Sequence, residues 1–251
     1  MLRKELLELL RSYKLLFVPV VFAIVGVGQP VGSKLLPQIL KGATNLPAGT
    51  VIQIPMPQPI AVVQSILGQL GQIGVLLLVL VAMGAVAGEC VSGVAATVLS
   101  KPIGRGAYVA AKAVALGGLA AAALLVALAF GAYYTVVLIG PIAWGPVLAG
   151  GACYLPDLLL PVGITLAFSA ALPSPAAAGG AGLIATIALN VVPAYLGAFA
   201  RSAGPAALQQ HAAAVMAGAL PVGLWRPLLF TTALVLASAV AAWAALRRRE
   251  I

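Results

Sequence analysis

The sequence predicts an all-α integral membrane protein with about six transmembrane helices, and three observations carry this prediction. The 251 residues are 63% hydrophobic and only 8% charged, with a mean hydropathy of +1.13, whereas a soluble domain carries about a quarter charged residues. Long unbroken apolar runs exclude the alternating pattern of a transmembrane β-barrel. The 28 glycines favour closely packed helices.

The predicted elements form a single transmembrane domain, 1–251, which begins with an interfacial helix at 1–14, the elbow helix. Leu2, Leu6 and Leu9 share one side of this segment and charged residues cover much of the rest, as in helices that lie in the membrane interface. An ordinary charged tail is the alternative. The predicted spans are 15–31, 60–87, 107–139, a fourth that ends near Leu172, 176–200 and 227–246. The predicted outer loops are 32–59 and 201–226, and the predicted cytoplasmic loop is 88–106.

Prolines define several of these boundaries. The prolines from Pro37 to Pro59 are too many for a continuous helix. The sequence GPIAWGP predicts a break at Pro141 and Pro146, and LPSP predicts a short turn before the fifth span. The second span would reach about 42 Å as a helix, more than the roughly 30 Å of a hydrocarbon core, so it should tilt or project beyond the bilayer.

The charge distribution predicts the orientation. The chain has 14 Lys and Arg against five acidic residues. In a membrane protein such an excess flanks the cytoplasmic ends of spans and contacts anionic lipid, so no nucleic-acid partner is expected. The predicted cytoplasmic basic residues are Arg3, Lys4, Arg11, Lys14, Lys101, Arg105, Lys112, Arg247, Arg248 and Arg249. The predicted outer ones are Lys34, Lys41, Arg201 and Arg226. This asymmetry favours a multi-pass plasma-membrane protein with both termini in the cytoplasm.

The sequence lacks the residues that several kinds of chemistry require. No G-x-x-x-x-G-K-[ST] motif occurs, so the chain cannot bind nucleotide through a P-loop, and no clustered residues predict a metal site. The one histidine, His211, is interpreted as a surface residue, and Cys90 and Cys153 as packing residues. Asp157 is a candidate for an intramembrane ion pathway, although Pro156–Asp157 is better explained as a helix start near the outer interface.

A hydrophilic segment between the second and third spans, GECVSGVAATVLSKPIGRGAY (88–108), carries a family resemblance. Glu89-x-x-x-Gly93 followed by Leu99-Ser100-Lys101-Pro102-Ile103-x-Arg105 resembles the cytoplasmic signature of type-2 ABC exporter permeases, GE-x-E-x-G-T…LLS-x-P-I-S-R. The elbow helix, the proline-rich outer loop, about six spans and the basic C-terminus match that family's layout over essentially the whole chain. Three family positions differ, since Val91, Val94 and Gly104 stand where the family has Glu, Thr and Ser.

The resemblance implies a permease subunit of an ABC transporter, working as a homo- or heterodimer. Its partner would be a separate cytoplasmic P-loop ATPase that carries ATP and Mg²⁺. This chain would then hold no cofactor and catalyse no covalent chemistry. Family members of this size mostly export their substrates, so export is expected. The ATPase-coupling residues that the resemblance implies are Glu89, Gly93, Ser100, Lys101, Pro102 and Arg105.

The residue pattern of this segment agrees with such a coupling element. Its glycines allow turns, and 94–99 can form a short helix that ends before Pro102. Glu89 is expected to pair with Arg105 or Lys101 across the turn. At a water-exposed surface the pair would contribute at most about 1 kcal/mol, so its loss should leave the protein folded. An ordinary positively charged loop is the alternative.

A polar stripe in the second span is the candidate translocation path. Ser65, Gln69 and Gln72 recur at i, i+4 and i+7 and therefore share a helix face. Because unpaired amides are costly against lipid, this face should contact protein or a wet cavity. Side chains that touch lipid headgroups are the alternative.

Two other function classes stay open at the level of sequence. A secondary transporter or channel would need no ATPase and should show inverted repeats or intramembrane charges. A non-transporting membrane scaffold would need neither. The sequence contains no motif that identifies a substrate.

Overall fold

The computed structural model describes residues 4–5, 7–8, 12–42, 57–100 and 104–249, which are mostly helical and contain no strand. The helices are α1 (Lys14–Gly42), α2 (Pro59–Gln69), a π-helical turn (Leu70–Gly74), α3 (Val75–Ala82), α4 (Ala87–Val91), α5 (Val94–Leu99), α6 (Arg105–Leu138), α7 (Trp144–Ala171), α8 (Pro175–Val191), a 3-10 turn (Val192–Ala194), α9 (Ala198–Ala203), α10 (Pro205–Met216) and α11 (Trp225–Arg248).

Six segments are long and apolar enough to cross a membrane. They are span 1 (Leu15–Leu36), span 2 (Pro59–Val91), span 3 (Arg105–Leu138), span 4 (Trp144–Ala171), span 5 (Pro175–Ala194) and span 6 (Trp225–Arg248). The predictions of an all-α membrane protein and of about six spans are confirmed.

Helix α1 is longer than predicted. It continues through Pro30 and Pro37 to Gly42, so the prediction of a loop that starts at residue 32 is wrong. A proline removes one backbone donor, but in apolar surroundings the other backbone groups still need their helical partners. This requirement keeps the chain helical beyond each proline. The remainder of that predicted loop, 43–56, lies outside the described residues.

The spans form two groups that meet at spans 3 and 4. Span 1 packs along span 3, while spans 5 and 6 pack on span 4. The closest approach within the first group is at two glycines. Gly26 lies against the carbonyl of Ala127, and Gly131 lies against Gly26 and Ile66. A β-carbon at either glycine would overlap these atoms, so small residues allow spans 1 and 3 to contact through their backbones.

A π-helical turn, Leu70–Gly74, interrupts span 2 in its first half. A π-helical turn contains one residue more than an α-helical turn. The side chains before and after it therefore point in different directions around the helix axis. The turn packs tightly, because a β-carbon at Gly74 would lie 3.0 Å from Cζ of Phe22 on span 1.

A second interruption of span 2, at residues 83–86, is closed by Ser169 of span 4. The Ser169 hydroxyl accepts hydrogen bonds from the backbone N–H groups of Val86 (3.1 Å) and Ala87 (2.9 Å). It also donates to the carbonyl of Met83 (2.7 Å). Backbone groups in an apolar interior require such partners. Span 4 therefore fixes the direction in which α4 leaves the rest of span 2.

Span 5 ends earlier than predicted. It was predicted to reach residue 200, but α8 ends at Val191 and the following 3-10 turn ends at Ala194. Pro193 lies in this turn and supplies no backbone donor for a continued helix. At the other end, the Ser174 side chain accepts from a backbone N–H three residues on (3.2 Å) and caps α8, so the short turn predicted at LPSP is confirmed.

The predicted outer loop 201–226 folds back against the spans. Its helix α10 packs on span 4, where Gly150 lies directly against Met216. His211 of α10 is half-buried, and its Nδ1 lies 2.7 Å from the carbonyl oxygen of Ala207. His211 is therefore a partly exposed residue of a packed helix and not of a loop.

Helix α7 corrects two further predictions. It begins at Trp144 and includes Pro146 in its first turn, where proline is tolerated because that N–H has no helical partner. It then continues through Pro156 and Pro161 as one helix. The prediction of a helix start at Asp157 is wrong, because this residue lies inside the helix and is only 8% exposed.

Candidate functional site

The loop between spans 2 and 3, the candidate coupling loop, contains α5 (Val94–Leu99) at the predicted position. Gly93 precedes it with a φ of 76°, so the predicted turn at this glycine is confirmed. Ala96 and Thr97 of α5 are exposed. Ser100 is exposed as well, and its hydroxyl donates to the Thr97 carbonyl (2.9 Å). Two predicted coupling residues, Lys101 and Pro102, lie outside the described residues.

Glu89 begins this loop on α4 and is buried, with 9% exposure. Its Oε1 accepts from Nζ of Lys112 (2.8 Å) and of Lys4 (3.3 Å), and the Tyr108 hydroxyl donates to its Oε2. Lys112 and Tyr108 lie one turn apart on span 3, with Nζ of Lys112 5.0 Å from the Tyr108 ring centroid. The prediction that Glu89 pairs with Arg105 at a water-exposed surface is wrong.

The elbow helix completes this group. The ionic cluster consists of Lys4, Glu5, Glu89, Tyr108 and Lys112. Glu5 is buried, and its Oε2 lies 3.2 Å from Nζ of Lys112. Lys4 also pairs with Glu8 (3.4 Å). Burial lowers the pKa of Lys4, but the carboxylates of Glu89, Glu5 and Glu8 outweigh this effect and raise that pKa above its usual range. The ionic cluster thus attaches the elbow helix to spans 2 and 3.

Opposite charges face one another in the ionic cluster. With Glu8, which pairs with Lys4, three carboxylates face two ammonium groups, and Lys112 is only 3% exposed. Glu5, Glu8 and Glu89 place carboxylate oxygens within 4.8 Å of one another, a spacing that would suit a cation. The lysines already occupy that position, so the arrangement favours ion pairs over a bound metal. Removal of one partner would leave a buried charge uncompensated.

Arg105 fixes the other end of the candidate coupling loop. Its Nη1 donates to the carbonyls of Leu246 (3.0 Å) and Arg247 (2.8 Å), at the last turn of α11. These carbonyls have no donor within the helix and carry the negative end of its dipole, so a guanidinium is a suitable cap. Next to it, span 6 approaches the backbone of Gly106 closely. A β-carbon at Gly106 would lie only 3.3 Å from Nε1 of Trp243. Arg105 is therefore engaged by span 6 and not by Glu89.

The polar stripe of span 2 is divided by the π-helical turn. The Ser65 hydroxyl donates to Oε1 of Gln29 on span 1 (2.8 Å). Gln69 is half-buried, and Gln72 is exposed within the turn itself. In the part of the chain that the structure describes, neither amide has a hydrogen bond. The assignment of these three residues to a translocation path stays a prediction.

Five residues of this region were not predicted as site residues: Lys4, Glu5, Tyr108, Lys112 and Ser169. For Lys112 the sequence did carry a signal, because it is a single charge in a long apolar run, and such residues usually have a buried partner. For Ser169 the sequence carried no such signal, since a serine in a membrane helix commonly forms a hydrogen bond within its own helix.

The molecule so described is a multi-pass all-α membrane protein in which the loop between spans 2 and 3 is anchored at both ends. Residues 1–218 match the family described as "ABC-2 family transporter protein", and the chain belongs to this family. It is also 37% identical over 112 residues to the uncharacterized transmembrane protein YxlG of Bacillus subtilis (strain 168). The aligned stretch is 45% of this chain and 43% of that protein, so the chain spans less than half the length of this curated relative.

Proposed function

We propose that this chain is the permease subunit of an ATP-driven exporter, in which a separate P-loop ATPase carries ATP and Mg²⁺ and drives substrate through a dimer of permease chains. Membership of the ABC-2 family supports the permease role. The missing P-loop motif supports a separate ATPase. The export direction is taken from the resemblance of the candidate coupling loop to exporter permeases.

The observation that carries the proposal is an exposed helix between two fixed ends. Helix α5 presents Ala96 and Thr97 to the surroundings. Upstream, Glu89 is held by the ionic cluster, and downstream, Arg105 is held by span 6. We infer that displacement of α5 by a partner would act on spans 2, 3 and 6 through these two fixed ends, since rigid connected elements transmit such motion.

Binding of the ATPase is tested with one charge on α5. Thr97→Arg places a long cation on the exposed surface of α5, and Val222→Arg places the same side chain at a fully exposed position near the opposite end of the bundle. The tagged chain is purified from native membranes, and P-loop ATPases in the eluate are identified and quantified by mass spectrometry. We expect the parent and Val222→Arg to retain an ATPase and Thr97→Arg to lose most of it. If the parent retains none, a secondary transporter or a scaffold is the better explanation.

The proposal also places α5 and both termini in the cytoplasm, in the plasma membrane. In a variant without Cys90 and Cys153, single cysteines at Thr97 and Val222 report the two ends of the bundle. A membrane-impermeant thiol reagent applied to intact cells should label Val222→Cys, and it should label Thr97→Cys only after permeabilisation. The reverse pattern would contradict the orientation.

The direction of transport requires a ligand. Molecules that co-purify with the chain are identified by mass spectrometry and then offered to inverted membrane vesicles. Export predicts accumulation of the ligand inside these vesicles when ATP is added, and accumulation in right-side-out vesicles would contradict it.

A further inference from the structure

Asp157 lies at the centre of span 4, which comprises 28 residues. Its residue exposure is 8%, and its carboxylate has no hydrogen bond or ion pair with any residue in the described ranges. A carboxylate at this depth is costly unless a positive charge or a proton accompanies it. The described part of the chain supplies no such charge, so this carboxyl group must hold a proton or take a positive charge from outside the described residues.

The sequence limits where that counter-charge can originate. Spans 1 to 6 contain two acidic residues, Glu89 and Asp157. The buried lysine of span 3, Lys112, is already paired with Glu89 and Glu5. The internal segment 43–56 contains no charged residue. A buried carboxylate with no cation among the described residues is a feature of a binding site and not of a stabilised core.

An apolar groove begins at Leu160, about one turn after Asp157 on span 4. Leu160, Ile164 and Phe168 follow Asp157 at helical spacing, so all four lie on one face of the helix. The last three line a groove that Leu189 of span 5 and residues of span 6 close on the other sides. We call it the lateral groove. Its volume of about 440 Å³ lies within the range of small-molecule sites.

A backbone feature adds to the negative potential at this position. Pro161 lies four residues after Asp157 inside the same helix. Because proline has no N–H, the carbonyl of Asp157 loses the donor that an α-helix would provide. A carboxylate and a freed carbonyl of the same residue therefore occur together next to an apolar surface. In membrane transporters, backbone carbonyls without a helical donor coordinate cations.

We propose that Asp157 binds the cationic group of an organic cation whose apolar part occupies the lateral groove. The inference rests on the proposed transport function and deepens it, because it names the substrate class as apolar molecules that carry one positive charge. Charge complementarity selects this occupant over a neutral lipid tail, which would fill the groove but leave the carboxylate unpaired.

A pair of probes of equal shape and opposite charge tests the charge selection. Tetraphenylphosphonium is a permanent cation, and tetraphenylborate is the corresponding anion. Binding of each to the purified chain in nanodiscs of neutral lipid is measured by equilibrium dialysis. We expect the parent to prefer the cation by about tenfold or more, the factor that one charge-assisted contact provides.

Variants then locate the contact. Asp157→Asn keeps the shape of the side chain and removes its charge, so it should abolish the preference by weakening cation binding. Ile164→Trp should obstruct the lateral groove and weaken both probes. Glu8→Gln, which neutralises an exposed carboxylate at the end of the bundle, is the matched control and should bind as the parent does. Equal cation affinity of Asp157→Asn and the parent would overturn the proposal, as would a parent without charge preference.

Two further readouts keep the interpretation unambiguous. The thermal midpoint of Asp157→Asn should not fall below that of the parent. A carboxylate whose role is to bind a ligand does not stabilise the fold when the ligand is absent. A large fall would assign Asp157 a structural role and overturn the proposal. Since binding is measured on the isolated chain, a failure here is distinct from a failure of ATPase retention by Thr97→Arg.

Discussion

Glu89 and Asp157 are both buried carboxylates within the candidate spans, with exposures of 9% and 8%, yet their surroundings differ completely. Glu89 lies near the end of span 2 and contacts two lysines and a tyrosine hydroxyl. Asp157 lies at the centre of span 4 and has no such contact among the described residues. Burial alone therefore does not distinguish a structural charge from a functional one, whereas the presence of a partner in the same chain does.

Removal of the paired carboxylate should have the largest effect. Glu89→Ala leaves Lys112 buried without full compensation and should lower the free energy of unfolding by about 3–5 kcal/mol. This loss exceeds the contribution of at most about 1 kcal/mol that is expected from sequence for a water-exposed pair. Thermal or denaturant unfolding in detergent measures the change. Glu8→Ala, whose side chain is 55% exposed, is the control and should change stability by less than about 1 kcal/mol.

The interaction between the two central charges can be measured separately. In a double-mutant cycle with Glu89→Ala and Lys112→Ala, the second substitution should cost much less once the first is present, because the charge it would leave behind is already gone. We expect a coupling energy of about 1–3 kcal/mol. Additive effects of the two substitutions would show that the 2.8 Å contact contributes no interaction energy.

Gly93→Val changes the direction of α5 without touching either carboxylate. At a φ of 76°, a residue with a β-carbon is strained by about 1–2 kcal/mol. We expect this loss of stability together with a larger loss of ATPase retention, because α5 would leave the membrane surface at a different angle. Gly88→Ala is the control, since a β-carbon there meets open space and no positive φ is needed. Unchanged ATPase retention in Gly93→Val would separate α5 from coupling.

The smallest change in the free energy of unfolding is expected for a substitution of Asp157, and its sign is opposite to that expected for Glu89→Ala. Asp157→Asn removes a buried carboxylate that lacks a partner, so the free energy of unfolding should stay equal or rise by up to about 1 kcal/mol. The same unfolding assay used for Glu89→Ala checks this. A loss comparable to that of Glu89→Ala would mean that both carboxylates are structural and that the contrast between them is wrong.

Local patterns were sufficient to predict local features. The lengths of the apolar runs gave the number of spans, because a helix must be long enough to cross the hydrocarbon core. Gly93 and the residues that follow it gave the turn and α5, because positive φ and proline positions are properties of single residues.

The pairings of Glu89 and Arg105 could not be predicted in the same way. The sequence places Arg105 nearest in the loop, but span 6 offers Arg105 the free carbonyls of its last turn. Lys112, two turns into span 3, then takes its place beside Glu89. Only the packing of the spans decides between these partners. The π-helical turn Leu70–Gly74 was missed for a related reason, since no residue type in its sequence LGQIG is specific to such a turn.

The two anchors of the candidate coupling loop also differ in when they can form. A chain is synthesised from its N-terminus, so Lys4 and Glu5 are present long before Glu89 and Lys112, and the ionic cluster can close as soon as span 3 has been made. The bonds of Arg105 to Leu246 and Arg247 must wait for the final residues. Completion of this loop therefore follows closure of the ionic cluster and requires span 6, and a chain that lacked span 6 would have the loop fixed at one end only.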